Sequence, residues 1–168
     1  MIKTNNFMKN IDLVILAGGK GSRIKHYLNK KPKPMLKFNK IYFLQYLLNN
    51  FTKYPFKKIF ILTSYRSKII HKNFHNKRIN LSKIECIKEK KLMGTGGALS
   101  NVKKLIKNDF VLMNGDTIFN IDLMDFIKSL KKGKIGSIAL LLNKKNIESK
   151  KLNNLSLKKN VICFKKKK

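Results

Sequence analysis

The sequence is short of acid, of arginine and of cysteine, and each shortage closes off a class of protein. Eight Asp and Glu stand against 39 Lys and Arg, a formal net charge of +31. A surplus this large invites a polyanionic partner. Yet only Arg23, Arg66 and Arg78 are arginine, the side chain whose planar fork suits phosphate and base edges. The lysines are scattered along the chain. Lysine, asparagine and isoleucine (36, 19 and 20 residues) make up 75 of the 168 residues, the pattern of an AT-rich coding sequence. The charge therefore reads as compositional, and nucleic acid is not the expected partner.

Two cysteines, Cys86 and Cys163, build neither a disulfide framework nor a zinc site. Apolar runs such as Leu13–Ala17 and Ile138–Leu142 are far too short to span a bilayer, and the start, MIKTNNFMKN, lacks a signal-peptide core. A cytoplasmic protein with no membrane partner is the expectation. What remains is 43% hydrophobic. A domain of 168 residues buries roughly 70% of its unfolded surface, enough for one core.

Apolar runs alternate with helical patterns. Ile11–Ala17, Lys58–Thr63, Lys83–Ile87, Phe110–Met113, Gly136–Leu142 and Val161–Phe164 read as strands. Tyr42–Phe51, Ser67–Phe74, Ala98–Ile106 and Asp122–Leu130 read as helices, with Phe43, Tyr46, Leu47 and Leu48 on one face of the first. Asp122 is placed to cap the last. This alternation predicts an α/β domain with a largely parallel sheet.

Three segments carry chemistry. After the first strand comes LAGGKGSRI, Leu16–Ile24, then KPKPML, Lys31–Leu36. Gly18, Gly19 and Gly21 let backbone approach a ligand unobstructed, and successive N–H groups in such a turn form an anion nest. Arg23 adds a permanent charge suited to phosphate oxygens. Lys33 sits between two prolines that restrict its backbone. Neither the P-loop spacing nor GxGxxG is present, since Ile24 stands where the last glycine would fall. The second segment, EKKLMGTGGAL, is a glycine-rich helix entry. The third, MNGDTIFNIDL, follows a strand-like run, and ligands favour the carboxyl ends of strands in open α/β sheets. Asp116 there is one of five aspartates in the chain. A carboxylate beside phosphates needs a divalent cation between them, so Asp116 is the magnesium-ligand candidate. His26, His71 and His75 are scattered; His71 and His75 read as one surface face of a helix rather than a metal pair.

LAGGKGSRI with KPKPML, in that order, resembles the signature of sugar-phosphate nucleotidyltransferases. LMGTGGAL with MNGDTIFNIDL is especially similar to the guanylyltransferases acting on manno-heptose 1-phosphate. The resemblance implies a Rossmann-like three-layer fold with a mainly parallel mixed sheet. It implies GTP and a sugar 1-phosphate as partners, Mg²⁺ as cofactor, and nucleotidyl transfer with release of pyrophosphate. It places the nucleotide on Leu16, Ala17, Gly18, Gly19, Gly21, Ser22 and Arg23 and its base against Gly94, Thr95 and Gly96. The catalytic charges fall to Arg23, Lys33 and Asp116.

One departure stands out. The family carries a Phe-x-Glu-Lys segment toward the sugar, followed by a second metal-binding aspartate. Here VICFKKKK ends the chain: Phe164 matches, Lys167 is the sugar-phosphate candidate, and Lys166 replaces the glutamate. The expectation is one incomplete domain over 1–168, with a nucleotide-binding part over about 8–130 and a partial sugar-binding part over about 131–168. A frame slip or truncation at Lys165–Lys168 is expected, with a native short form as the alternative. An inactive nucleotide-binding remnant and a basic nucleic-acid module are the rival functions.

Overall fold

A computed structural model describes residues 10–51, 53–91, 93–130 and 132–139, and the backbone of 155–158 and 161–164. Residues 1–119 and 120–168 form two units, described separately below.

The first unit is built on a five-stranded sheet. Its first strand, β1 (Asp12–Ala17), is apolar along almost its whole length. Leu13, Val14 and Ile15 are fully buried, as expected of a parallel strand covered on both faces. Its neighbours are β4 (Lys58–Thr63) on one side and β7 (Phe110–Asn114) on the other, both parallel to it. β6 (Ser82–Lys88) extends the sheet beyond β4 in parallel, and the two-residue β5 (Arg78–Ile79) closes that side antiparallel. The order is therefore β5-β6-β4-β1-β7. A separate hairpin pairs β2 (Lys37–Phe38) with β3 (Ile41–Tyr42).

The helices differ from the sequence expectation in detail. α1 (Phe43–Phe51) buries Leu44, Leu47, Leu48 and Phe51, whereas Tyr46 is exposed. The spacing 44, 47, 48, 51 is the i, i+3, i+4, i+7 stripe, so the face is rotated from the one expected on Phe43 and Tyr46. α2 (Ser67–Phe74) matches its expected span. α3 (Gly94–Ser100) starts four residues before the expected Ala98 and ends earlier. Beyond it Val102 N–H donates to Leu99 O and Leu105 N–H to Val102 O, the tighter i→i−3 pattern, while the Asn101 side chain donates to Ala98 O. A side chain competing for helix carbonyls is a known route to termination. Ala98 and Val102 still pack onto Val14, Phe60 and Leu62, which anchors this segment on the sheet.

In the second unit, α4 (Leu123–Lys128) is capped as expected: Asp122 Oδ1 accepts from Met124 N–H at 2.9 Å and Asp125 N–H at 3.0 Å. β8 (Leu155–Lys158) pairs antiparallel with β9 (Val161–Phe164), the expected strand, through Leu155↔Phe164 and Lys158↔Val161. Of the strand expected over Gly136–Leu142, residues 136–139 have no strand structure and 140–142 lie outside the described residues. No helix among the described residues is long and apolar enough to cross a membrane.

Candidate functional site

The strand order dictates where a ligand can enter. From β1 the chain moves outward to β4 and β6, then returns to β7 on the opposite side of β1. The order thus reverses beside β1, and a crevice is expected at the carboxyl ends of β1 and β7. The register levels these ends, pairing Leu16 with Asn114. A cleft of ≈ 450 Å³ lies there, lined by Leu16, Ala17, Gly19, Gly21, Ser22, Arg23, Ile24, Lys33, Pro34 and Asp116. That volume falls within the range of small-molecule sites.

Each charged group reaches the cleft through a local device. Gly21 adopts φ 63°, a left-handed conformation, and starts a 3₁₀ helix over Ser22–Tyr27 that carries Arg23. A Cβ on Gly21 would also press on Leu28 and Lys33. Arg23 is exposed and has no ion-pair partner among the described residues. Lys33 opens a single 3₁₀ turn, Lys33–Met35, closed by Met35 N–H to Pro32 O at 2.8 Å. Pro32 and Pro34 on either side are buried, so the backbone of Lys33 is held while its side chain reaches outward. Asp116 is fixed from both directions. Gly115 N–H donates to Leu16 O at 2.8 Å, and Phe119 packs edge-on against Phe51 at 5.6 Å.

These two chains of argument meet in one contact. Lys33 Nζ lies 2.8 Å from Asp116 Oδ2, across 83 residues of sequence. The other carboxylate oxygen, Oδ1, accepts from Thr117 Oγ1 at 3.2 Å. The cleft thus offers a glycine turn, two cationic side chains and one carboxylate.

Not every expected residue lines it. Gly18 is buried beneath the turn against Ser64, and its carbonyl accepts from Tyr65 N–H. Gly94, Thr95 and Gly96 are exposed at the start of α3 and are not among the lining residues. Lys167 lies outside the described residues.

The sequence reading passed over Glu89. It follows β6, is 6% exposed, and its Oε1 lies so close to Gly18 that a Cβ there would collide with it. Its N–H donates to Thr63 O at 2.8 Å. Burial raises its pKa above the usual carboxylate value. A buried acid beside a cleft-lining turn is a functional signal. The scarcity of acid in the chain, with only three glutamates, was the clue available in sequence.

His71 and His75 hydrogen-bond to β4 and β6. Thr63 Oγ1 donates to Ile87 O at 3.1 Å and so accepts from His71 Nε2–H at 3.0 Å. His75 Nδ1 accepts from Cys86 N–H at 3.1 Å, and the two rings stack at 5.4 Å. Burial first, then His75 and Lys88, lowers the pKa of His71. Burial alone pushes the Cys86 thiol up to about 12.

A divalent cation can be tested against this donor set. No group of three metal-ligating side chains occurs among the described residues, and Asp116 is the one carboxylate among the lining residues. Among the described residues there is no cage made by protein side chains alone. The donor set fits an ion held by one carboxylate and by the phosphates of a substrate, the usual manner of magnesium.

The family profile for nucleotidyl transferase matches residues 13–151. The chain belongs to the nucleotidyl transferase family. A D-glycero-alpha-D-manno-heptose 1-phosphate guanylyltransferase of Campylobacter jejuni is 36% identical over 110 residues, 66% of this chain and 49% of that protein. A mannose-1-phosphate guanylyltransferase of Mycobacterium tuberculosis is 32% identical over 123 residues, 71% of this chain and 34% of that protein. Among solved structures, HddC from Yersinia pseudotuberculosis superposes with a TM-score of 0.63 at 36% identity, covering 71% of this chain and 53% of that one. The same protein complexed with GMP-PN matches with the same TM-score. The relatives are thus sugar-1-phosphate nucleotidyltransferases, and the α/β fold is the nucleotidyltransferase fold. This chain spans about half the length of the Campylobacter relative.

Proposed function

We propose that this nucleotidyl transferase handles GTP and transfers its nucleotidyl group to a sugar 1-phosphate, with manno-heptose 1-phosphate as the acceptor, in nucleotide-sugar synthesis for a surface polysaccharide. The observation that carries the reading is the convergence of Arg23, Lys33 and Asp116 on the glycine turn at the β1–β7 crevice. The likeness to heptose 1-phosphate guanylyltransferases supports the choice of base and sugar. The site of action is the cytoplasm, where nucleoside triphosphates are available.

The reaction needs no covalent protein nucleophile. An oxygen of the sugar phosphate attacks the α-phosphorus in line, a new P–O bond forms, and the bond to pyrophosphate breaks. Positioning and charge stabilisation supply most of such catalysis. Backbone from Leu16 to Ser22 receives the phosphates. The Arg23 guanidinium binds triphosphate oxygens, and the Lys33 ammonium neutralises charge at the reacting phosphate. Asp116 would hold Mg²⁺, and that ion would screen the phosphate charge. Gly94, Thr95 and Gly96 are the base-binding candidates, and Lys167 is the sugar-phosphate candidate. The nucleotide part runs over about 8–130 and the sugar part over about 131–168.

Pyrophosphate release from GTP, Mg²⁺ and manno-heptose 1-phosphate tests the proposal. Arg23→Ala and Asp116→Ala should each lower turnover by roughly 10²-fold or more, the scale of losing one charge-stabilising group. Near-normal turnover in both variants would refute the assignment. Nucleotide binding without pyrophosphate release would identify a binding remnant instead.

A further inference from the structure

We propose that Lys33 gates the metal position. In the nucleotide-free protein its ammonium occupies Asp116, and the arriving triphosphate draws it away so that a divalent cation can take its place. This inference rests on the nucleotidyl-transfer reading of the cleft.

The contact itself supplies the argument. The Lys33 ammonium lies 2.8 Å from Asp116 Oδ2, and Thr117 Oγ1 donates to Oδ1, so both carboxylate oxygens are engaged. Two cations cannot share one carboxylate oxygen without close like-charge repulsion. A divalent ion entering alone must displace the ammonium and then face both Lys33 and Arg23 with a single carboxylate to offset them. A triphosphate changes this balance, because its oxygens attract Lys33 and Arg23 and also complete the shell of the ion.

The lysine is built to move without dragging the fold. Its backbone is held between buried prolines, while its side chain is 37% exposed and that of Asp116 is 38% exposed. An ion pair this open is weak, so anionic oxygens can displace it. The stem of Lys33 passes beside Gly21, where a Cβ would stand 3.3 Å from Lys33 Cβ. The glycine turn that receives phosphate therefore adjoins the side chain that must leave Asp116. By linkage, nucleotide then raises metal affinity, and metal raises nucleotide affinity by the same factor.

Titration of Mn²⁺ into the chain, followed by electron paramagnetic resonance with and without a non-hydrolysable GTP analogue, tests the gate. Lys33→Met keeps the stem and removes the charge. It should bind Mn²⁺ about 3- to 5-fold more tightly than the parent without nucleotide, the upper range for losing an exposed ion pair. It should also show a smaller gain on adding nucleotide. Lys33→Gln should behave alike if the methionine variant folds poorly, as thermal melting will reveal. Lys33→Arg, which retains the charge, should stay weak. Unchanged or weaker Mn²⁺ binding in folded Lys33→Met and Lys33→Gln overturns the gate. Asp116→Asn separates the two levels: if it binds Mn²⁺ like the parent, Asp116 holds no metal and the reading beneath the gate falls as well.

Discussion

At the scale of single residues, the site sets exposed charges, Arg23, Lys33 and Asp116, beside one buried acid, Glu89. The pKa of Glu89 is raised by burial, so the folded state favours the protonated form. That stability is fully present below the unfolded value of 4.5 and is lost as pH rises through the folded pKa. Glu89→Gln removes the charge while keeping the shape. The variant should be more stable than the parent at pH 7, and the gap should close as pH falls below the unfolded carboxylate value. Urea melts across pH check this; equal stability at pH 7 would show that the carboxylate is compensated. Arg23 and Lys33 stood out in sequence because the glycines and prolines beside them mark local backbone constraint. Glu89 did not, since its burial depends on Gly18, 71 positions away along the chain.

At the scale of elements, the meeting of β1 and β7 decides where Asp116 stands. A Cβ on Gly115 would lie 3.0 Å from Leu16 O, 3.2 Å from Ile15 Cγ2 and 3.3 Å from Ala17 Cβ. Two of these three atoms belong to side chains and one to the backbone of a buried strand, so little can yield. Gly115→Ala should destabilise the fold by roughly 1–3 kcal/mol through overpacking, measured as a lowered urea midpoint with unchanged slope. It should also separate Lys33 from Asp116. A neutral effect would mean that the β7 exit adjusts freely. The strands were readable because each is a short apolar run ended by turn residues. The stripe of α1 was misplaced by one position because apolar residues fill 43, 44, 46, 47 and 48, and only packing shows which of them face inward. The 3₁₀ turns and the β2–β3 hairpin carry no periodic signal and were invisible.

At the scale of the whole molecule, the net charge of +31 sets the solution behaviour. Among the described residues only Lys33–Asp116 and Lys58–Glu85 form ion pairs, so most of the positive charge is unpaired and self-repelling. Salt should therefore stabilise the fold. Raising ionic strength from about 0.01 M to about 0.15 M shortens the screening length from about 30 Å to about 8 Å, and Tm should rise by several degrees. A Tm that falls or stays flat would show that the few ion pairs outweigh the repulsion. If the charge were instead a polyanion site, binding to polynucleotide would fall steeply with salt.

The sequence by itself determined the class of fold and the local make-up of the glycine turn. Both are local: alternation of strand and helix periods sets the architecture, and glycine, proline and fixed charge act through their own backbone and side chain. The tertiary structure alone decided which of these groups meet. The crossover from β6 back to β7 on the far side of β1 brings Lys33 within 2.8 Å of Asp116, and the packing of β6 beside β4 buries Glu89 beneath the glycine turn. Contacts across 83 and 71 residues follow from strand order, and strand order follows from the burial of a shared core rather than from any local run of residues.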